Sequence, residues 1–142
     1  MPGDSAANRA ADRAAERYAE LRRDEASTPK KLYAVDGTVP PGAPVTDVAQ
    51  LTAIAAAAVR AGNGHVLETS HVQFPNGAVT LVLILAESHL SLHTWPEESL
   101  IAIDLFSCGA IDGPRVAAEL ARLLRLDDVH MQRIERGAAA RR

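Results

Sequence analysis

A run of reactive side chains follows the most apolar segment of the chain. LAESHLSLHTWPEE, residues 85–98, holds Glu87, Ser88, His89, His93, Trp95 and Glu97, and its first two residues end the apolar run AVTLVLILA, residues 78–86. The single cysteine, Cys108, lies shortly beyond in LIAIDLFSC. Three chemistries use such residue types. A zinc site would take His89, His93 and Cys108, since residues 89 and 93 have the same parity and a straight strand aims them to one side. One cysteine and no pattern of residues to support the ligands make that a weak zinc signal. A serine hydrolase would take Ser88, His93 and Asp104. It would lack the G-x-S-x-G elbow, and its serine and histidine have opposite strand parity. The third chemistry makes Ser88 itself the reactive group, with Glu87 before it and His93 five residues on. Taken singly, each residue also has an ordinary use: a strand-start serine, hydrogen-bonded imidazoles, a core tryptophan, a buried thiol acting as a small hydrophobe.

The elements around these residues read clearly. KKLYAVDG (30–37) is a short strand stopped by Asp36-Gly37. A Pro-rich loop leads to a helix over TDVAQLTAIAAAAVRAGNG, capped by Thr46 or Asp47. Val48, Leu51, Ala55, Ala58 and Val59 share one face, and Gly62 fits the position after its end. Residues 65–74 form a strand, PNG a turn, and 78–86 a continuous apolar strand expected to be central and covered on both faces. Strands follow at 88–95 and 100–108, parted by PEES. Asp112 and Pro114 open a second helix, with Val116, Leu120, Leu123 and Leu124 inward, and 128–136 forms a last strand. Short turns between strands predict a mostly antiparallel sheet with two helices on one face, a two-layer α+β sandwich. Apolar residues at both parities predict that a second copy covers the other face.

Residues 1–29 stand apart. They are rich in Ala, Arg and Glu, with Tyr18 and Leu21 as the sizeable apolar groups, and read as a flexible or partly helical extension before a domain over 30–142. The 142 residues and the net charge of −3 fit one domain without a basic face for nucleic acid. No segment has the apolar length of a membrane span. One cysteine excludes an internal disulfide framework, and a reduced, cytoplasmic setting is expected.

ESHLSLHTWPE followed by AIDLFSCG resembles the pyruvoyl-dependent S-adenosylmethionine decarboxylases of bacteria and archaea. The resemblance is dense over 81–109, includes the gap from Ser88 to Cys108, and is looser over the rest of the domain. It implies a proenzyme that cuts itself between Glu87 and Ser88. The Ser88 hydroxyl attacks the Glu87 carbonyl, the amide becomes an ester, and β-elimination leaves a pyruvoyl group at residue 88. A serine is needed because its β-oxygen is first nucleophile and then leaving group. A strained turn at 87–88 would assist the first step and would free Ser88 from strand parity. By the same resemblance, His93 moves protons during processing and the pyruvoyl forms a Schiff base with the substrate. Cys108 reprotonates the α-carbon, while Trp95 and Glu97 help to shape the nucleoside pocket. No metal or added cofactor is implied. Family members of this size work as homodimers with active sites near the subunit interface.

Upstream, relatives read like F-H-x-F-x-P-x-G-V-S-G, where this chain has SHVQFPNGAVTLV (70–82). Aligning His71, Pro75 and Gly77 requires an insertion before Thr80. Without a gap, Phe74 takes the second aromatic position and Thr80 that of the serine, giving Phe74 an adenine-stacking role and Thr80 a processing hydroxyl. After Glu97, Glu98-Ser99-Leu100 replaces a Tyr-Gly-Tyr-like stretch. An added carboxylate there suits a small cationic amino acid, so an arginine or ornithine decarboxylase is the rival within the enzyme class. An unprocessed relative acting as a binding or partner subunit is the rival outside it.

Overall fold

The computed structural model describes residues 29–137, together with the single positions Ala6, Arg9, Arg13 and Glu16, which are helical and exposed. The expected N-terminal extension otherwise lies outside the described residues, as do residues 138–142. Strand β1 (Lys30–Thr38) leads to helix α1 (Val48–Ala61). Strands β2 (Val66–Gln73), β3 (Val79–Leu85), β4 (Ser88–Trp95) and β5 (Leu100–Cys108) follow, then helix α2 (Gly113–Leu124) and strand β6 (Asp127–Arg136). The six strands form one sheet in the order β2-β3-β4-β5-β1-β6. Every neighbouring pair is antiparallel. The α+β class, the two helices and the antiparallel sheet are those the sequence predicts.

Each helix starts where its capping residue stands. Asp47 accepts from the Gln50 N–H at 3.0 Å, and Asp112 from the Arg115 N–H at 3.1 Å, so each carboxylate satisfies an N–H that the helix leaves open. At the end of α1 the left-handed residue is Asn63 (φ 64°), and Gly62 has φ −93°. Gly62 serves the packing instead, since a Cβ there would lie 2.5 Å from a Val116 methyl carbon.

Leu51, Ala55, Val59, Val116, Leu120 and Leu124 bury one side of the helix pair against Leu81, Leu83, Leu90, Leu92, Ile103 and Leu105 of the sheet. Leu123 and Val48, expected inward, are half-buried. The strand over 79–85 also departs from expectation. It is second from an edge of the sheet, and only its odd residues are buried, while Ile84 is 44% exposed. Both helices lie over the face of its odd residues, and among the described residues no layer covers its even ones.

The start of α2 sits on the ring of Tyr33. A Cβ at Gly113 would stand 2.2 Å from a Tyr33 ring carbon. Gly113→Ala therefore must push helix and ring apart, at a cost of ~1–3 kcal/mol. A fall of several degrees in the thermal unfolding midpoint is expected, and an unchanged midpoint would show that the contact yields freely.

Candidate active site

Strands β3 and β4 are joined by two residues, Ala86 and Glu87, with Leu85 paired to Ser88 across the turn. Such short hairpin turns normally use residues at positive φ in the loop, so that the loop twist matches the strands. Here neither Ala86 nor Glu87 has positive φ, and Ser88 takes φ 145°. That conformation is ordinarily glycine territory and costs ~1–3 kcal/mol. The strain falls on the residue whose hydroxyl is the proposed nucleophile. Parity would turn Ser88 toward the helices with Leu90, yet it lines a cavity of about 470 Å³ with His89, Phe106 and Arg136, on the open face. The twisted backbone thus frees Ser88 from strand parity.

The carbonyl before Ser88 is held by two donors. The Cys108 N–H reaches the Glu87 oxygen at 3.2 Å and the Cys108 thiol at 3.1 Å. Cys108 ends β5, where Ser88 pairs with Ser107, so the antiparallel register delivers it to the turn. Its sulfur lies 3.9 Å from Ser88 Oγ. Two donors on one carbonyl oxygen, beside an adjacent hydroxyl, polarise that carbonyl for attack as an oxyanion hole does.

Glu87 itself is buried, at 2% exposure. Its Oε1 accepts from the His65 backbone N–H at 2.6 Å and lies 3.1 Å from His65 Nδ1. Sequence reasoning passed over His65, because its partner lies 22 residues away and no local pattern marks the contact. It passed over Arg136 as well. The Arg136 guanidinium stands 5.4 Å over the Phe106 ring, on which His89 also stacks at 5.9 Å.

The other expected residues gather at the far end of β4. His93 pairs with Thr80 across the β3–β4 ladder, and His93 Nδ1 lies 3.1 Å from Thr80 Oγ1. Phe74, Thr80, His93 and Trp95 line a cavity of about 420 Å³. Glu97, in the 3₁₀ turn Pro96–Glu98, accepts from Asn76 Nδ2 at 2.6 Å. A hydrogen bond from its own backbone N–H, then the one from Asn76, hold its carboxyl below the ordinary carboxylate range. Glu98 is exposed in the same turn.

Two half-sites therefore face the open side of the sheet at opposite ends of β4. Five residues of strand at ~3.3 Å each put roughly 16 Å between Ser88 and His93. His93 does not reach Ser88 within one chain, and direct proton transfer between them needs a second copy. The same spacing defeats the hydrolase reading, whose Asp104 pairs with Ser91 and not with His93. It defeats the zinc reading too. Among the described residues no three His, Cys, Asp or Glu side chains gather where they could hold a metal ion.

Residues 32–137, which contain both half-sites, match the family model described as S-adenosylmethionine decarboxylase. The chain belongs to that family. The S-adenosylmethionine decarboxylase proenzyme 2 of Bacillus anthracis is 39% identical over 74 residues, 51% of this chain and 60% of that protein. The S-adenosylmethionine decarboxylase proenzyme of Pyrobaculum arsenaticum is 38% identical over 87 residues, 61% of this chain and 66% of that protein. The chain thus spans about 60% of the length of the Bacillus relative. Among solved structures, the adenosylmethionine decarboxylase from Aquifex aeolicus superposes with a TM-score of 0.66 at 28% identity, covering 79% of this chain and 93% of that one. At that score and identity the two chains share the S-adenosylmethionine decarboxylase fold. Among the described residues no helix is long and apolar enough to cross a membrane.

Proposed function

We propose that this member of the family is a self-processing, pyruvoyl-dependent S-adenosylmethionine decarboxylase that works as a homodimer of cleaved protomers. The observation that carries the reading is the turn at 87–88, where a strained serine follows a carbonyl held by the N–H and S–H of Cys108.

The chemistry follows from these atoms. Ser88 Oγ bonds to the Glu87 carbonyl carbon and gives its proton to a base. The Glu87 oxygen takes the negative charge under the two Cys108 donors. The C–N bond breaks, the nitrogen takes a proton, and an ester joins Glu87 to Oγ. Loss of the Cα proton of residue 88 expels Oγ with the Glu87 carboxylate and ends the piece 1–87. The remaining dehydroalanine tautomerises to an imine, and water releases ammonia to leave a pyruvoyl on His89. Relief of the φ 145° strain favours scission. The pyruvoyl supplies an electrophilic ketone that draws the substrate amine and accepts the electrons released with CO₂.

The base is the partner's His93, held by its hydrogen bond to Thr80. Support comes from the open sheet face, where Ile84, Trp95, Val72 and Ile134 are each at least 41% exposed around both half-sites. A second copy turned about a two-fold axis covers this apolar face. It also brings the Thr80–His93 end of one β4 to the Ser88 end of the other. The same union sets Phe74 and Trp95 beside Ser88 as apolar walls for adenine. Glu97, kept ionised, suits ribose hydroxyls or a sulfonium.

After scission the Cys108 thiol no longer serves the old carbonyl and stands beside residue 88, where it returns a proton to the substrate α-carbon. Cys108→Ala keeps the backbone N–H, so cleavage is expected to proceed more slowly while turnover of the cut enzyme falls ~10²–10⁴-fold. Turnover near wild type would assign that proton to another group. The substrate is tested by CO₂ release from S-adenosylmethionine, arginine and ornithine offered separately. Release from S-adenosylmethionine alone supports the reading, whereas preference for arginine or ornithine would move the substrate class to the amino acids that exposed Glu98 suits.

A further inference from the structure

We propose that His65 is a positioning residue for chain scission, fixing the turn that presents the 87–88 peptide; the inference rests on the self-processing reading above. His65 meets this turn from both sides. Its carbonyl accepts from the Ala86 N–H at 3.0 Å, and its backbone N–H donates to Glu87 Oε1 at 2.6 Å. Its ring nitrogen Nδ1 lies 3.1 Å from the same oxygen. The residue just before β2 is thereby tied to the two residues between β3 and β4.

The tie matters because of where Glu87 lies. The side chain is 2% exposed, and its Oε2 has no hydrogen-bond partner among the described residues. A buried carboxyl group with one oxygen unmatched is held in place by what the other oxygen receives, and among the described residues that comes from His65. Removing the imidazole leaves a single backbone donor. The Glu87 side chain then gains by turning toward water. Bringing a 2% exposed side chain out to water requires the backbone of this two-residue turn to shift with it, and that shift moves the Glu87 carbonyl off the Cys108 N–H and S–H and away from Ser88 Oγ. The imidazole touches no reacting atom, so His65 acts through Glu87.

The ring is 40% exposed, so its removal opens no core cavity. Effects on scission and on folding are therefore separable. The full chain is made by cell-free synthesis as wild type, His65→Ala and His65→Asn, and the cut fraction is followed over time on denaturing gels. The thermal midpoints of both His65 variants are measured in the uncut Ser88→Ala background. His65→Ala should lengthen the half-time of cleavage about tenfold or more, with its midpoint close to that of the Ser88→Ala parent. His65→Asn keeps an N–H donor near the Nδ1 position and should cut within a few-fold of wild type. Equal rates for Ala and wild type would overturn the assignment, as would an Asn chain as slow as Ala. Should Ala fail to fold, the Asn chain decides the matter alone: rapid cutting supports the positioning role, and slow cutting with a parental midpoint overturns it. An intact wild-type chain would remove the processing reading itself and this inference with it, an outcome distinct from a wild type that cuts and an Ala variant that cuts equally fast.

Discussion

Ser88→Ala yields one uncut chain with no decarboxylase activity. The substitution removes a single oxygen, and that oxygen is asked to do two things. It must attack the Glu87 carbonyl, and it must later leave the β-carbon with the Glu87 carboxylate. Alanine has nothing to do either with, so the loss is complete rather than partial. The fold should survive. The donors on the Glu87 oxygen come from Cys108, the donors on its carboxyl come from His65, and neither set uses Ser88. Alanine inherits the same φ of 145°, so strain is neither added nor relieved. A cut Ser88→Ala chain would show that the nucleophile lies elsewhere.

His93→Ala remains uncut when made alone and is cut when co-produced with Ser88→Ala. Within one chain roughly 16 Å of strand separates His93 from Ser88, and Thr80 holds the imidazole at its own end of β4. A base that serves Ser88 from there must come from a second copy. In a mixed dimer the Ser88→Ala protomer keeps its His93 and presents it to the intact Ser88 of the His93→Ala protomer. One of the two chains is then cut, at a rate near that of wild type. Loss of the base alone should slow scission ~10²–10⁴-fold. Mass spectrometry of the co-purified pair distinguishes the two chains. Scission of His93→Ala without a helper at a rate near that of wild type would remove His93 from processing, and failure of the mixed pair to cut would remove the exchange of histidines between protomers.

Much of this architecture was legible locally. Alternation and turn residues placed β4 and β5 at the bounds observed, because short apolar strands between PEES and the Cys108-Gly109 stop have little freedom to shift. Caps at Asp47 and Asp112 were readable because a carboxylate before an apolar-periodic stretch has one common use. The continuous apolar run at β3 misled. Its length implied cover on both faces, whereas its even residues, Thr80, Val82 and Ile84, belong to the open face that the proposed dimer would cover. Gly62 looked like a left-handed helix end, yet a neighbouring helix explains it better.

At the site, Ser88, Cys108 and Glu87 were identified by resemblance, and their contacts required the register that sets Ser88 opposite Ser107. The separation of Ser88 from His93 was already implicit in their spacing, since five strand residues cannot meet at one atom. What no local pattern held was the strain at Ser88 and the grip of His65 on Glu87, because both depend on how the turn between β3 and β4 meets the start of β2.

The most direct test of the account is the denatured intact mass of the freshly purified chain. Two fragments divided between Glu87 and Ser88, the second beginning with a pyruvoyl group in place of serine, are the predicted result. A single chain of unmodified mass that stays intact on prolonged incubation would contradict it.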